Sequence, residues 1–226
     1  MTVDEFYTAA QTRELDRLAI EKYNIPGYEL MQRAGKSAWQ ALQSRWPGVK
    51  SLLVFCGTGN NGGDGFVIAS LAKRNGLELT VIMADTLNRL RGDALTAFQQ
   101  ALADGIQPEP ASAFKFPASS PTSAASTVIV DALLGTGLKG EVRDPYASLI
   151  TLINQCGLPV LAVDIPSGLC SDTGKILGCA VKANLTVTFI GRKIGMTLAQ
   201  GPGCCGDIIF SSLAIPAGVY ADLRAC

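Results

Sequence analysis

Residues 51–74 read SLLVFCGTGNNGGDGFVIASLAKR. Ser51 to Cys56 is an apolar run of strand length, GTGNNGGDG at 57–65 is a glycine-rich loop, and Phe66 to Arg74 has the make-up of a helix. Strand, glycine loop and helix in that order open a parallel α/β unit. The alternation continues outward. Leu77 to Met83 predicts a second strand and Arg89 to Ala103 a second helix, with Leu90, Ala94, Ala97, Phe98 and Ala101 as its apolar stripe. Further on, Thr127 to Val130 predicts a strand ending at Asp131, Asp144 to Cys156 a helix, and Pro159 to Val163 a strand ending at Asp164. Leu185 to Ile190 and Ile208 to Phe210 supply the last strands, while two helices, 8–22 and Pro26 to Trp46, precede the first. Residues 108–126, rich in Pro, Ser and Ala, read as a surface excursion or a frayed connection with little chemistry.

The chain of 226 residues has 48% hydrophobic and 17% charged residues with 24 glycines, which suits one buried, mostly parallel sheet covered by helices. Nineteen Lys plus Arg balance nineteen Asp plus Glu, so generic nucleic-acid binding has no charge support. With no histidine, Ser-His-Asp and Cys-His dyads and His-ligated zinc are excluded, and catalysis falls to carboxylate, lysine, tyrosine, backbone or a bound cation. Seven cysteines without CxxC spacing fit a reducing compartment, and the adjacent Cys204 and Cys205 read as turn filler. No apolar run reaches membrane-spanning length, and no secretory signal is evident.

Ligands of open α/β sheets sit beyond the carboxyl ends of the strands. Three unusual loops begin there: 57–65 with Asn60, Asn61 and Asp64, 131–141 with Asp131, and 164–171 with Asp164 and Ser167. Gly57, Gly59 and Gly62 match GxGxxG, and Asp85 stands near where a dinucleotide dehydrogenase keeps its ribose-binding acid, though later than the usual spacing. A phosphate loop of the Walker type is disfavoured, because Gly63 and Asp64 replace its Lys and Ser or Thr. Asp164 is the candidate proton-transfer group, with a turn cap as its plain alternative. Asn61, Asp131 and the Ser167 hydroxyl are oxygen donors with one formal charge, a set that suits a monovalent cation, potassium first, or a purely hydrogen-bonded network. Lys139 and Lys193 are placed at the rim for phosphate, Lys193 also within reach of Asp164, with surface lysines as the alternative.

LMQRAG at 30–35, CGTGNNGGDGFVIA at 56–69, VDALLGTGL at 130–138, VDIPSGL at 163–169 and NLTVTFIGRKIG at 184–195 together resemble the NAD(P)H-hydrate epimerase family, the YjeF N-terminal domain. The resemblance implies one Rossmann-like three-layer α/β/α domain over residues 1–226, with N-terminal helices at 8–46 and the core at 50–213. It implies interconversion of the R and S epimers of hydrated NADH and NADPH, through loss of hydroxide to an iminium-like centre and re-entry of water, or through a C–H proton transfer. Its substrate site carries over to Asn60, Asn61, Gly62, Gly63 and Asp64, to Gly135, Thr136, Gly137, Leu138, Lys139, Gly140 and Glu141, and to Asp164 in the catalytic role. Its potassium site carries over to Asn61, Asp131 and Ser167. The implied partner is an ATP- or ADP-dependent dehydratase, separate or fused in a longer product, and a cytoplasmic homodimer is expected. A nicotinamide-dependent oxidoreductase and a noncatalytic nucleotide-binding module are the competing classes.

Overall fold

The computed structural model describes residues 5–115 and 126–225. The chain opens with a short strand β1 (Phe6–Tyr7) and two helices, α1 (Ala9–Glu21) and α2 (Gly27–Arg45). α1 begins where it does because Thr8 and Gln11 form a reciprocal capping box, each side chain bonded to the other's backbone N–H. Then come β2 (Ser51–Cys56), α3 (Asn60–Arg74), β3 (Glu78–Met83), α4 (Gly92–Ala103), β4 (Glu109–Pro110) and β5 (Thr127–Ala132). The rest is α5 (Tyr146–Gln155), β6 (Val160–Val163), β7 (Leu185–Phe189), β8 (Arg192–Lys193), α6 (Gly201–Cys205), β9 (Asp207–Ser211) and α7 (Ala217–Ala225).

One seven-stranded sheet runs β4-β3-β2-β5-β6-β7-β9, and every one of its pairings among the described residues is parallel. β2 lies between β3 and β5, paired with β3 from Ser51↔Glu78 to Cys56↔Met83 and with β5 from Ser51↔Thr127 to Cys56↔Ala132. The chain winds outward from β2 through β3 to β4, then returns to β5 on the other side. That reversal opens a crevice at the carboxyl ends of β2 and β5, where such sheets bind ligands.

Alternation along the strands builds two cores. Leu52, Val54 and Cys56 face one of them, which holds Leu15 of α1, Leu42 of α2, Phe66 of α3 and Phe98 of α4. Leu53 and Phe55 face the other, closed by Leu149, Ile150 and Ile153 of α5. Three layers result, as expected. Separately, β1 pairs with β8 in parallel, Tyr7 opposite Lys193, and fastens the start of the chain to the segment after β7.

Two expectations are corrected. The loop expected over 57–65 ends early, because α3 starts at Asn60 and carries Gly62, Gly63 and Gly65 inside the helix. Burial decides this against the poor helix propensity of glycine: a Cβ on Gly62 would stand 2.0 Å from the Gly57 carbonyl oxygen. The excursion expected over 108–126 contributes the edge strand β4 at its start, and residues 116–125 of it lie outside the described residues. Among the described residues no helix is long and apolar enough to cross a membrane.

Candidate active site

A cavity of about 620 Å³ occupies the crevice, within the range of small-ligand sites. Its walls come from distant parts of the chain: Thr12, Arg13 and Asp16 of α1, Asn60, Asn61 and Asp64 of α3, residues 133–139 after β5, Asp164 after β6, Phe189 at the end of β7, Ile190 after it and Lys193 on β8. The three loops singled out in the sequence therefore converge on one site.

Asp164 leaves β6 at φ 65°, a left-handed conformation uncommon for a residue with a side chain. Its Oδ1 accepts from the Lys193 ammonium, from the Phe189 backbone N–H at 3.1 Å and from the Thr188 hydroxyl at 3.3 Å. Oδ2 has no hydrogen-bond partner among the described residues and is left for a ligand. Lys193 also donates to Thr188 Oγ1 and to the Phe189 carbonyl oxygen, each at 3.0 Å. Its side chain is 0% exposed, whereas that of Asp164 is 17% exposed. Lys193 was placed at the rim by its sequence position; it is instead a buried counter-ion under the Asp164 carboxylate. The backbone beside it is also left-handed, Ile190 at φ 61° and Leu213 at φ 53°, and both residues line the cavity. Such strain persists where surrounding packing overdetermines it, and it concentrates at functional sites.

Asp131 and Ser167 are bonded to each other where β5 and β6 end, fully buried and outside the lining of the cavity, and Asn61 of that lining joins them through the Leu134 backbone. The Ser167 hydroxyl donates to Asp131 Oδ1 at 2.6 Å, and the Ser167 N–H donates to Asp131 Oδ2 at 2.8 Å. Leu134 N–H donates to Ser167 Oγ at 2.8 Å, and Asn61 Nδ2 donates to the Leu134 carbonyl at 3.1 Å. Burial raises the Asp131 carboxyl to about 6, against the lowering effect of its Ser167 and Leu133 bonds. Asn61 Oδ1 is buried and has no hydrogen-bond partner among the described residues. No group of three or more His, Cys, Asp or Glu side chains suited to a metal occurs among the described residues, so a cation here would be held by one carboxylate and neutral oxygens.

Other expected residues divide. Asn60, Asn61, Asp64 and residues 135–139 line the cavity, with Lys139 exposed at its mouth. Gly62, Gly63, Gly140 and Glu141 do not line it. Gly62 and Gly63 instead let α3 approach the Gly57 backbone and the Met31 side chain. Asp85, the candidate ribose acid of the oxidoreductase reading, is engaged by Arg89 and the Thr86 N–H, outside the cavity. Cys204 and Cys205 are buried in the α6 packing. The sequence reading missed Thr12, Arg13 and Asp16, since nothing local ties α1 to the strand ends. Burial and the charge of Asp164 raise Asp16 to about 6, with Lys193 opposing; burial, Asp164 and Asp16 raise Asp64 well above the usual carboxylate range.

An open parallel sheet with helices on both faces and a cavity at its switch point defines a Rossmann-like α/β/α protein, a fold that takes its ligands at that crevice. Residues 27–195 match the family described as YjeF-related protein N-terminus, and the chain belongs to that family. It is 48% identical over 228 residues to the bifunctional NAD(P)H-hydrate repair enzyme Nnr of Coxiella burnetii, covering 99% of this chain and 45% of that protein. Against the NAD(P)H-hydrate epimerase of Legionella pneumophila the identity is 34% over 224 residues, covering 96% and 81%. The crystal structure of yeast ynu0 (YNL200c) superposes with a TM-score of 0.79 at 21% identity, covering 97% of this chain and 93% of that one, which shows the shared fold. The chain spans less than half the length of its bifunctional relatives from Coxiella burnetii and Escherichia coli.

Proposed function

We propose that this chain is an NAD(P)H-hydrate epimerase, interconverting the R and S epimers of hydrated NADH and NADPH. The observation that carries the reading is the Asp164 carboxylate, fixed by Lys193 with one oxygen free, in a cavity bounded by Asn60, Asn61 and the glycine loop 135–139. The names of the relatives at 48% and 34% identity support it. The hydroxylated ring carbon adjoins the ring nitrogen, so loss of water leaves an iminium that water re-enters from either face. Asp164 exchanges the proton, and the loop 135–139 bounds the dinucleotide. The donor set fits potassium: Asn61 Oδ1 is a buried oxygen wanting a partner, beside Asp131 and Ser167. A bound ion would supply positive charge near the substrate phosphates and hold three loops together. A dehydratase partner, a homodimer and a cytoplasmic location belong to the same proposal, and the fused relatives support the first.

The test supplies purified R epimer and follows the appearance of S epimer. The wild-type chain is expected to convert it without net oxidation, and Asp164→Asn to lose about 100-fold or more, the scale of a general acid–base group. Equal rates in the two proteins would remove Asp164 from the centre. Hydride transfer to an added acceptor would favour the oxidoreductase class.

A further inference from the structure

The proposed reaction has two faces, and a carboxylate fixed as Asp164 is by Lys193, Phe189 and Thr188 can address only one of them. Water must leave from one face and enter at the other, so a proton is given on the first side and taken on the second. On α1, Asp16 lines the same cavity, one turn after Thr12. Leu15 and Ala19 beside it are 0% exposed, so the helix turns this position toward the core. Asp16 is half-buried, and its carboxylate has no hydrogen-bond partner or ion pair among the described residues. A partnerless carboxylate on the inward side of a helix destabilises the fold. Asp64 from α3, Asp164 after β6 and Lys193 on β8 face it electrostatically, and Arg13, Asp93 and Lys139 complete the charged lining. Asp16 also lies before the segment 27–195 that matches the family.

We propose that Asp16 is the second acid–base group of this site, serving the ring face opposite the one served by Asp164; this rests on the epimerase reading above. Protonated Asp16 gives its proton to the ring hydroxyl. The C–O bond breaks with its electron pair leaving on oxygen as water, and the nitrogen lone pair forms the C=N bond of the iminium. A water on the other face then forms a new C–O bond to the same carbon, the C=N pair returns to nitrogen, and Asp164 takes the surplus proton. One water leaves and one enters, one proton is given and one taken, and nothing is oxidised. Asp16 ends ionised and Asp164 protonated; the reverse turnover or exchange with solvent restores the start. Burial and the Asp164 charge raise Asp16 to about 6, within reach of protonation near neutral pH, and Lys193 stands under the opposite carboxylate to offset its charge. Asp64 is the weaker choice, being only 9% exposed inside α3.

The experiment compares wild type, Asp16→Asn, Asp16→Glu and Asp64→Asn on the R epimer of NADPH hydrate from pH 5 to 9, with melting curves for each. A wild-type chain that interconverts no epimers overturns the function and the proposal together. Given wild-type turnover, Asp16→Asn is expected to lower kcat about 100-fold or more with KM nearly unchanged, and to remove the limb of the pH profile belonging to this group. Asp16→Glu should recover part of the rate with a displaced limb. An Asp16→Asn protein that melts as a folded chain and keeps its kcat and pH profile overturns the proposal. So does full kcat there combined with a collapse in Asp64→Asn, or a loss confined to KM. If Asp16→Asn does not fold, the displaced limb in Asp16→Glu supports the assignment and an unmoved limb refutes it.

Discussion

At the residue scale the site turns on a buried lysine. Lys193 is 0% exposed and bonded to Asp164, Thr188 and Phe189, so removing the carboxylate strands an ammonium in the interior. Asp164→Ala is therefore expected to lose about 3–5 kcal/mol in denaturant unfolding. Asp164→Asn should lose less, since it keeps an acceptor oxygen for the ammonium and tolerates the left-handed backbone while still leaving the charge uncompensated. Adding Lys193→Met to Asp164→Ala should recover most of the difference; a double variant as unstable as the single one would refute the stranded-charge account. Asp16 adds a pH signature. Its folded value of about 6 lies above its unfolded one, so its contribution to stability is complete below about pH 4 and is lost as pH rises through 6. Asp16→Asn should thus stabilise the chain by up to about 2 kcal/mol at pH 8 and by little at pH 4, read as the change in melting temperature against wild type. Asp164 was legible because a carboxylate ending an apolar strand marks a site. The burial of Lys193 was not, because it depends on the remote pairing of Tyr7 with Lys193.

At the scale of elements, α3 joins packing to binding. Its first turns carry Asn61 and Asp64 into the cavity, while Gly62 and Gly65 admit the helix against the Gly57 carbonyl and the Ala132 and Cys56 side chains. Gly62→Ala would place a methyl 2.0 Å from Gly57 O, backbone that has no freedom to give, so a loss of roughly 3 kcal/mol is expected, with displacement of Asn61. Gly59→Ala meets nothing within 4 Å and serves as the control, with its melting temperature near wild type. Similar losses in both would mean that chain stiffness, and not the close approach, governs this turn. The motif NNGGDG was legible as a site but not as helix: local propensity argues against three glycines in five residues, and the burial that overrides it comes from β2 and β5. α1 shows the converse. Residues 8–22 were legible as a helix, yet Asp16 faces the site because the β1–β8 pairing and an Asp172 carboxylate accepting from Ala9 N–H at 2.6 Å set its seat.

Across the whole molecule, strand order brings the site together. Sequence alternation and loop position were enough to expect a parallel three-layer fold with ligands at strand ends, but the adjacency of β2 and β5 rests on long-range pairing that no local segment encodes. Asn61 belongs to the loop and helix after β2, Asp131 to the end of β5, and Ser167 to the loop after β6, so one ion at their meeting point would clamp three separate crossings. An unpartnered buried amide oxygen such as Asn61 Oδ1 costs about 1–3 kcal/mol, which a cation would offset. Potassium is therefore expected to raise the melting temperature of the chain relative to lithium at equal ionic strength. It should slow amide exchange together at Asn61, Leu134 and Ser167, whose groups share one hydrogen-bonded network. Asn61→Ala removes the orphan oxygen and should abolish the potassium-specific part of both effects. Protection that arises at one of the three segments alone, or equally with lithium, would mean that the network closes by hydrogen bonds without an ion.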